Sequence, residues 1–325
     1  MYANREYSFD YFMQNVYNNE YVIITTNLSN ERSKKLIDSI PKCRFIEVFY
    51  TVSMSLEKTI DDEFRVETNY NSIINNNNYK SLDKGLFDFV QILNEKHKKI
   101  IIDISSFHLR FLGAFLAAIY GCKWESIICT YTEPTAYPRA KEISPTGYNK
   151  NVSIGGFDLN SSFWGYGEIP NLKTVTNGHD NFVWIVFLGF EGKRADSVYT
   201  EISDDVKNVI PVITYPSIHP GWANYAFDAN QLLFEKTKKY SPDIQYTDAT
   251  NPFAAYNFIE AVEKDHNKQH IIISPLGTRP VSLGAILYAV KHEEAEIYFD
   301  TPKESSSNIV NVGNIHVYDI LSFYN

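Results

Sequence analysis

Two isoleucine triplets, Ile100, Ile101, Ile102 and Ile271, Ile272, Ile273, constrain this chain more than any other stretch. A β-branched run with no polar alternation fits a strand covered on both faces, and such strands belong to parallel sheets flanked by helices. Comparable runs recur at residues 21–26, 44–50, 126–131, 182–188, 209–214, 244–247 and 295–299. Between them lie stretches with helical spacing. These are a helix carrying Leu36 and Ile37, then 82–96 with Leu86, Phe87, Val90 and Leu93, then 107–120. In the second half they are a helix from Arg194, then 225–238, 252–264, and a last one through Val281, Leu283, Ile286, Leu287 and Val290. This alternation predicts an α/β fold with mostly parallel sheets. The segment before Asn19 reads as a capping helix or arm, and 51–80 is polar and poorly patterned. Within it the run from Asn75 to Asn78 reads as an exposed loop.

A length of 325 residues suggests two cores of roughly 150 residues each. The pattern places an N-terminal Rossmann-like lobe at 1–135, a connector or insertion rich in Gly, Pro and aromatics at 136–180, and a C-terminal Rossmann-like lobe at 181–325. The two lobes look like tandem copies. A shift of 171 places sets Gly113 on Gly284, the two triplets on each other, and Leu112, Ala114, Leu116 and Ala118 on Leu283, Ala285, Leu287 and Ala289. A shift of 162 sets Arg32 on Arg194 and the strand at 22–26 on the one beginning at Trp184. All parallel strand–helix units share apolar residues at such places, so internal duplication is one reading and shared patterning the other. The small Gly–Ala pair favours duplication, since it lets each helix lie close to its sheet.

In open parallel sheets ligands sit beyond the carboxyl ends of the strands. The polar turns there define the candidate site. After the Ile271 strand come Gly277, a residue suited to a tight turn or close approach, then Thr278 and Arg279 at a helix start. After the Phe182 strand come Glu191, Lys193 and Arg194, and after the Ile244 strand Asp248, Thr250 and Asn251. Arg194 and Arg279 suit a phosphate, while Thr250, Asn251 and Thr278 suit sugar or base edges. Each also has an ordinary reading as a helix cap or a surface ion pair, and Asn251 before Pro252 is a good N-cap signal. In the first lobe Ser105, Ser106 and His108 occupy the equivalent turn without the Gly-Thr-Arg combination, and Glu133, Tyr137 and Arg139 follow its last strand. Trp222, in a loop with His219, is a candidate for stacking on a base.

A formal charge of −9 argues against a broad nucleic-acid surface. No run reaches the roughly 18 apolar residues of a membrane span, and the start lacks a signal-peptide order, so a cytoplasmic protein without membrane contact is expected. Cys43, Cys122 and Cys129 form no CxxC pair and read as free thiols. With no P-loop, G-x-G-x-x-G, HExxH or DxD pair, neither a metal nor a cofactor is expected.

The turn Gly277-Thr278-Arg279, after a strand and before a helix in a duplicated Rossmann-like chain, resembles the ligand lobes of CRISPR-associated Rossmann-fold (CARF) sensors and their fused relatives, the SAVED sensors of bacterial defence. In those families a Gly-Thr-Lys-like turn lies near a nucleotide second messenger; here Arg replaces the usual Lys. The resemblance implies a sensor that binds a nucleotide-like phosphorylated molecule between its lobes, in antiviral defence. As no effector domain is evident, output would pass to a separate effector protein, and a homo-oligomer is compatible with this layout. An enzyme acting on a nucleotide, NAD or sugar phosphate in the same cleft, with Glu191, Glu133 or Asp248 as acid or base, and a protein-interaction scaffold are the alternatives.

Overall fold

A computed structural model describes residues 5–54, 60–72, 74, 78–80, 82–137, 163–167, 169, 172, 182–204, 206–239, 243–266, 269–292, 295–302 and 310–324. In chain order the first elements are β1 (Glu6–Ser8), α1 (Phe9–Asn15), β2 (Val22–Thr25), α2 (Glu31–Ser39), β3 (Arg44–Met54), β4 (Ile60–Thr68), β5 (Asn78–Lys80), α3 (Asp83–Lys96), β6 (Lys99–Asp103), α4 (Leu109–Tyr120) and β7 (Ser126–Ala136). Then come β8 (Phe163–Gly167), β9 (Phe182–Leu188), α5 (Gly192–Ile202), β10 (Val206–Thr214), α6 (Trp222–Ala229), α7 (Gln231–Thr237), β11 (Gln245–Thr247), α8 (Pro252–Asp265), β12 (Ile271–Pro275), α9 (Arg279–Lys291), β13 (Ala295–Ile297), β14 (Phe299–Pro302) and β15 (Val310–Asp319). Among the described residues no helix is long and apolar enough to cross a membrane.

The chain divides into two compact units. The first comprises Met1–Ala136, Ile169–Leu172 and Asn311–Asn325, and the second Tyr137–Glu168 and Lys173–Val310. This differs from the boundaries read from the sequence at the C-terminal end, where 311–325 joins the first unit. The reason is strand pairing: β15 pairs antiparallel with β1, Tyr7 opposite Val317, and buries Val317 and Tyr318 there. Of the expected connector, only residues 136, 137, 163–167, 169 and 172 are described, so Arg139 and most of that segment lie outside the described residues.

The first unit holds an eight-stranded sheet in the order β1-β15-β7-β6-β2-β3-β4-β5. Its centre, β7-β6-β2-β3, is parallel, and the isoleucine triplet of β6 lies there fully buried. The flanks are not parallel. β3, β4 and β5 form an antiparallel meander through the stretch that the sequence left unpatterned. Strand β4 was hard to read because its inward positions are Asp62, Phe64 and Val66, so a polar side chain interrupts the apolar half of a period-2 pattern. Asp62 is tolerated inside because Arg110 donates to its oxygens at 3.0 and 3.3 Å and the Tyr50 hydroxyl joins them. Asn78, from the asparagine run, begins β5, while 75–77 lie outside the described residues.

The second unit holds a wholly parallel five-stranded sheet, β11-β10-β9-β12-β13, and a separate antiparallel pair, β14-β8. Every residue of β9 is buried, as its unbroken apolar run requires. Trp184 is accommodated at 0% exposure because its indole N–H donates to Ser274 Oγ at 2.9 Å. Two helical expectations are corrected. Phe87 is 47% exposed, and Phe89 instead joins Leu86, Val90 and Leu93 in the core. The helix expected over 225–238 breaks at buried Asn230, whose carboxamide donates to Ala226 O at 2.7 Å and Gly189 O at 2.8 Å. The three cysteines are free, with Cys43 and Cys129 buried and their thiols pushed up by desolvation.

One ion cluster staples the first unit's edge strands. His316 of β15 meets Glu133 of β7 at 2.7 Å through Nε2 and Glu6 of β1 at 3.1 Å through Nδ1. Burial alone would lower its pKa, but hydrogen bonds to Glu133 and Glu6 outweigh it and hold it up to about 9, above the ordinary 6.5. A folded-state pKa above the unfolded one stabilises fully below the unfolded value and stops doing so once pH passes the folded value. Thermal unfolding followed from pH 7 to 10 should therefore show the first unit losing stability as pH rises through about 9, and Glu133→Gln should flatten that slope. An unchanged slope in the variant would refute the assignment.

Candidate functional site

The strand order of the second unit fixes where a ligand would sit. From β9 the chain steps outward to β10 and β11, then returns to the other side of β9 to form β12 and β13. The reversal point lies between β9 and β12, and the turns after these two strands flank it. They touch through backbone. A Cβ on Gly189 would fall 2.4 Å from Leu276 O, so only glycine allows this approach. Gly277, expected to have that role, does not: a Cβ there would meet Leu188 O at 3.5 Å, ordinary contact. The turn after β11 is drawn in as well, because the Thr278 hydroxyl donates to Ala249 O at 2.5 Å. Three of the turns singled out in the sequence are thus gathered at one edge.

Several of the candidate side chains are occupied in building that edge. Arg194 is held by buried Asp300, with Nε at 2.9 and 2.8 Å from the two carboxylate oxygens and Nη2 at 2.7 Å from Oδ1, while Nη1 lies 3.5 Å from Glu191. Burial acts to lower its pKa, and the two carboxylates more than compensate and raise it. Its charge is therefore matched within the protein. Asp248 Oδ1 accepts from the Thr250 N–H at 2.7 Å and its hydroxyl at 2.9 Å, closing an Asx-type turn. Asn251 caps α8, accepting from Phe253 N and Ala254 N at 3.0 and 3.1 Å. Thr278 precedes α9 without capping it through its side chain. Lys193, exposed, and Arg279, half-buried, stand in the first turns of α5 and α9.

Neither α5, α8 nor α9 carries an acidic residue in its first turn, where carboxylates usually offset the positive helix end. Lys193 and Arg279 add positive charge at two of these ends, while Glu191 and Asp248 engage Arg194 and Thr250. Beside them an aromatic cluster forms: Trp222 packs 4.6 Å from His219, 5.3 Å from Phe190 and 5.4 Å from Tyr137 between ring centroids. The indole suggested for a base is thus already in ring contact on several sides. Among the described residues no group of His, Cys, Asp and Glu could hold a metal ion.

His108 belongs to the first unit and is not part of this edge. Its Nδ1 accepts from Arg110 N at 3.3 Å, capping α4, and its ring lies 5.3 Å from Tyr50. Asp103 is fully buried and accepts from Thr25 at 2.9 Å and Ser105 N at 3.1 Å, which makes it a turn-building carboxylate. The sequence reading missed Asp300 and Asp62, the partners of Arg194 and Arg110. Both are acidic residues inside strands, a signal of buried pairing that names no partner. No protein-family model and no curated protein matches the chain.

Proposed function

We propose that this chain is a ligand-binding protein of the sensor type, in which the carboxyl edge of the second sheet receives the phosphate of a nucleotide-like molecule and occupancy is passed to a separate effector protein. The observation that carries this reading is the convergence of three turns, with helix starts that lack acidic residues and bear Lys193 and Arg279. Helix N–H groups and a planar guanidinium suit phosphate oxygens. Arg194 supports the site by fixing Glu191 and Asp300, and leaves the ligand to its neighbours.

Duplication fits the same picture. The order β7-β6-β2-β3 in the first unit matches β13-β12-β9-β10 in the second. Strand pairing sets Val22 opposite Ile100 and Val183 opposite Ile271, so Val22 corresponds to Val183, one residue from the match made by sequence. Parallel sheets of this kind reach the same order without common ancestry, and the order supports duplication as a reading only.

Thermal-shift and calorimetric titration with cyclic oligonucleotides, mononucleotides and NAD tests the function. At least one should bind, and Arg279→Ala should weaken it about tenfold or more, the loss expected for one charge-assisted contact. No binding by any of them, or binding indifferent to Arg279→Ala, would overturn the proposal.

A further inference from the structure

The first unit contains a largely buried arginine that makes no ion pair among the described residues. Arg32, in the first turn of the nine-residue helix α2, is 8% exposed. Its backbone N–H goes to Asn30 Oδ1 at 2.9 Å, but its Nε meets no acceptor, and among the described residues no carboxylate pairs with the guanidinium. A buried guanidinium N–H that meets no acceptor is a donor left available to an anion.

Three hydroxyls nearby in the fold are also unpartnered: those of Thr26, Thr130 and Thr132, in residues 7%, 0% and 0% exposed. The turn after β6 gathers them around the start of α2. Ser106 Oγ donates to Thr26 O at 3.1 Å and meets Ser33 Oγ, on the residue after Arg32. Ser105 Oγ accepts from Thr132 N at 2.9 Å, and Ile104 N donates to Thr130 O at 2.9 Å. The pleat adds direction. Ile128 of β7 packs in one apolar cluster with Leu36 and Ile40, on and just after α2, so Thr130 and Thr132, two and four residues on, face the same helix. Asp103 lies on this side too, opposite Thr130, but its oxygens are taken by Thr25 and Ser105 N.

We propose that Arg32, the N-terminus of α2 and the Thr130 and Thr132 hydroxyls form an oxyanion site that takes the phosphoryl group of a small phosphorylated molecule. The cation supplies charge, the helix end supplies oriented N–H dipoles, and the hydroxyls supply neutral donors from the strand face that α2 covers. This site lies in the first unit and does not depend on the function proposed for the second.

The test is thermal unfolding of the full chain titrated with inorganic phosphate and with AMP, at constant ionic strength against chloride, for wild type, Arg32→Met, Arg32→Lys, Thr132→Val, Arg279→Ala and the double variant Arg32→Met with Arg279→Ala. The wild-type Tm should rise with phosphate or AMP, and the more potent of the two identifies the source of the phosphoryl group. Arg32→Met should weaken the response about tenfold or more while matching or exceeding wild-type Tm in anion-free buffer, because it removes an unpaired charge. Thr132→Val should weaken it several-fold, Arg32→Lys should retain part of it, and adding Arg32→Met to the Arg279→Ala background should lower the remaining phosphate response as it does in wild type, which separates this site from the one proposed on the second unit. The proposal fails if wild type responds to neither anion. It fails equally if Arg32→Met responds like wild type or is strongly destabilised without anion. Should Arg32→Met not fold, an undiminished response in both Arg32→Lys and Thr132→Val overturns it.

Discussion

Asp300→Ala should lower the unfolding free energy of the second unit by about 3–5 kcal/mol, the cost of stripping the partner from a buried ion pair. The pair has the required geometry: Asp300 has a side chain with 0% exposure against 16% for Arg194, and the guanidinium makes three contacts with it at 2.7–2.9 Å. Glu191, at 3.5 Å, is too far to replace the carboxylate. The matched double replacement, Asp300→Leu with Arg194→Met, should recover most of the loss, since two apolar groups leave no buried charge behind. Urea unfolding followed by intrinsic fluorescence reads both. If the single variant loses less than about 1 kcal/mol, the value typical of exposed pairs, the pair is not the strut described here.

Gly284→Ala should cost about 3 kcal/mol, the upper end for overpacking a tight site. A Cβ at 284 would lie 2.1 Å from Pro252 O and 3.0 Å from Ala255 Cβ, so α9 would have to move off the start of α8. The clash is with backbone, which has no alternative rotamer. The position matched to it in the first unit behaves differently. At Gly113 the obstruction is the Ile169 side chain, with its Cδ1 at 2.5 Å, and a rotamer change relieves part of it. Gly113→Ala should therefore be the milder change, at about 1 kcal/mol. Equal losses for the two variants would argue that both helices relax in the same way.

The Gly–Ala pair suggests a helix lying close to its sheet, whereas the close neighbours are Pro252 O for Gly284 and Ile169 for Gly113. The glycine signal was legible and its partner was not. Similarly, the turn at 276–279 stands out because a strand, a glycine and a helix start follow one another within a few residues, yet the backbone approach belongs to Gly189, in the turn after a different strand. The Asn251-Pro252 cap was recoverable because all its contacts lie within three residues.

The local plan was legible in the order of amino acids: apolar β-branched runs that had to be covered strands, helices at regular spacing, capped starts, and polar turns at strand ends. These follow from steric and hydrophobic preferences that act over a few residues. Which charge meets which emerged from the folded arrangement alone. Arg194 was matched to Asp300 across 106 positions, β15 was returned to the first unit to pair with β1, and Arg32 was buried with no carboxylate of its own among the described residues. The physical reason is that side-chain charge carries no address. A guanidinium is equally suited to a carboxylate or a phosphate, and the crossover order of the strands settles which carboxylates come within reach.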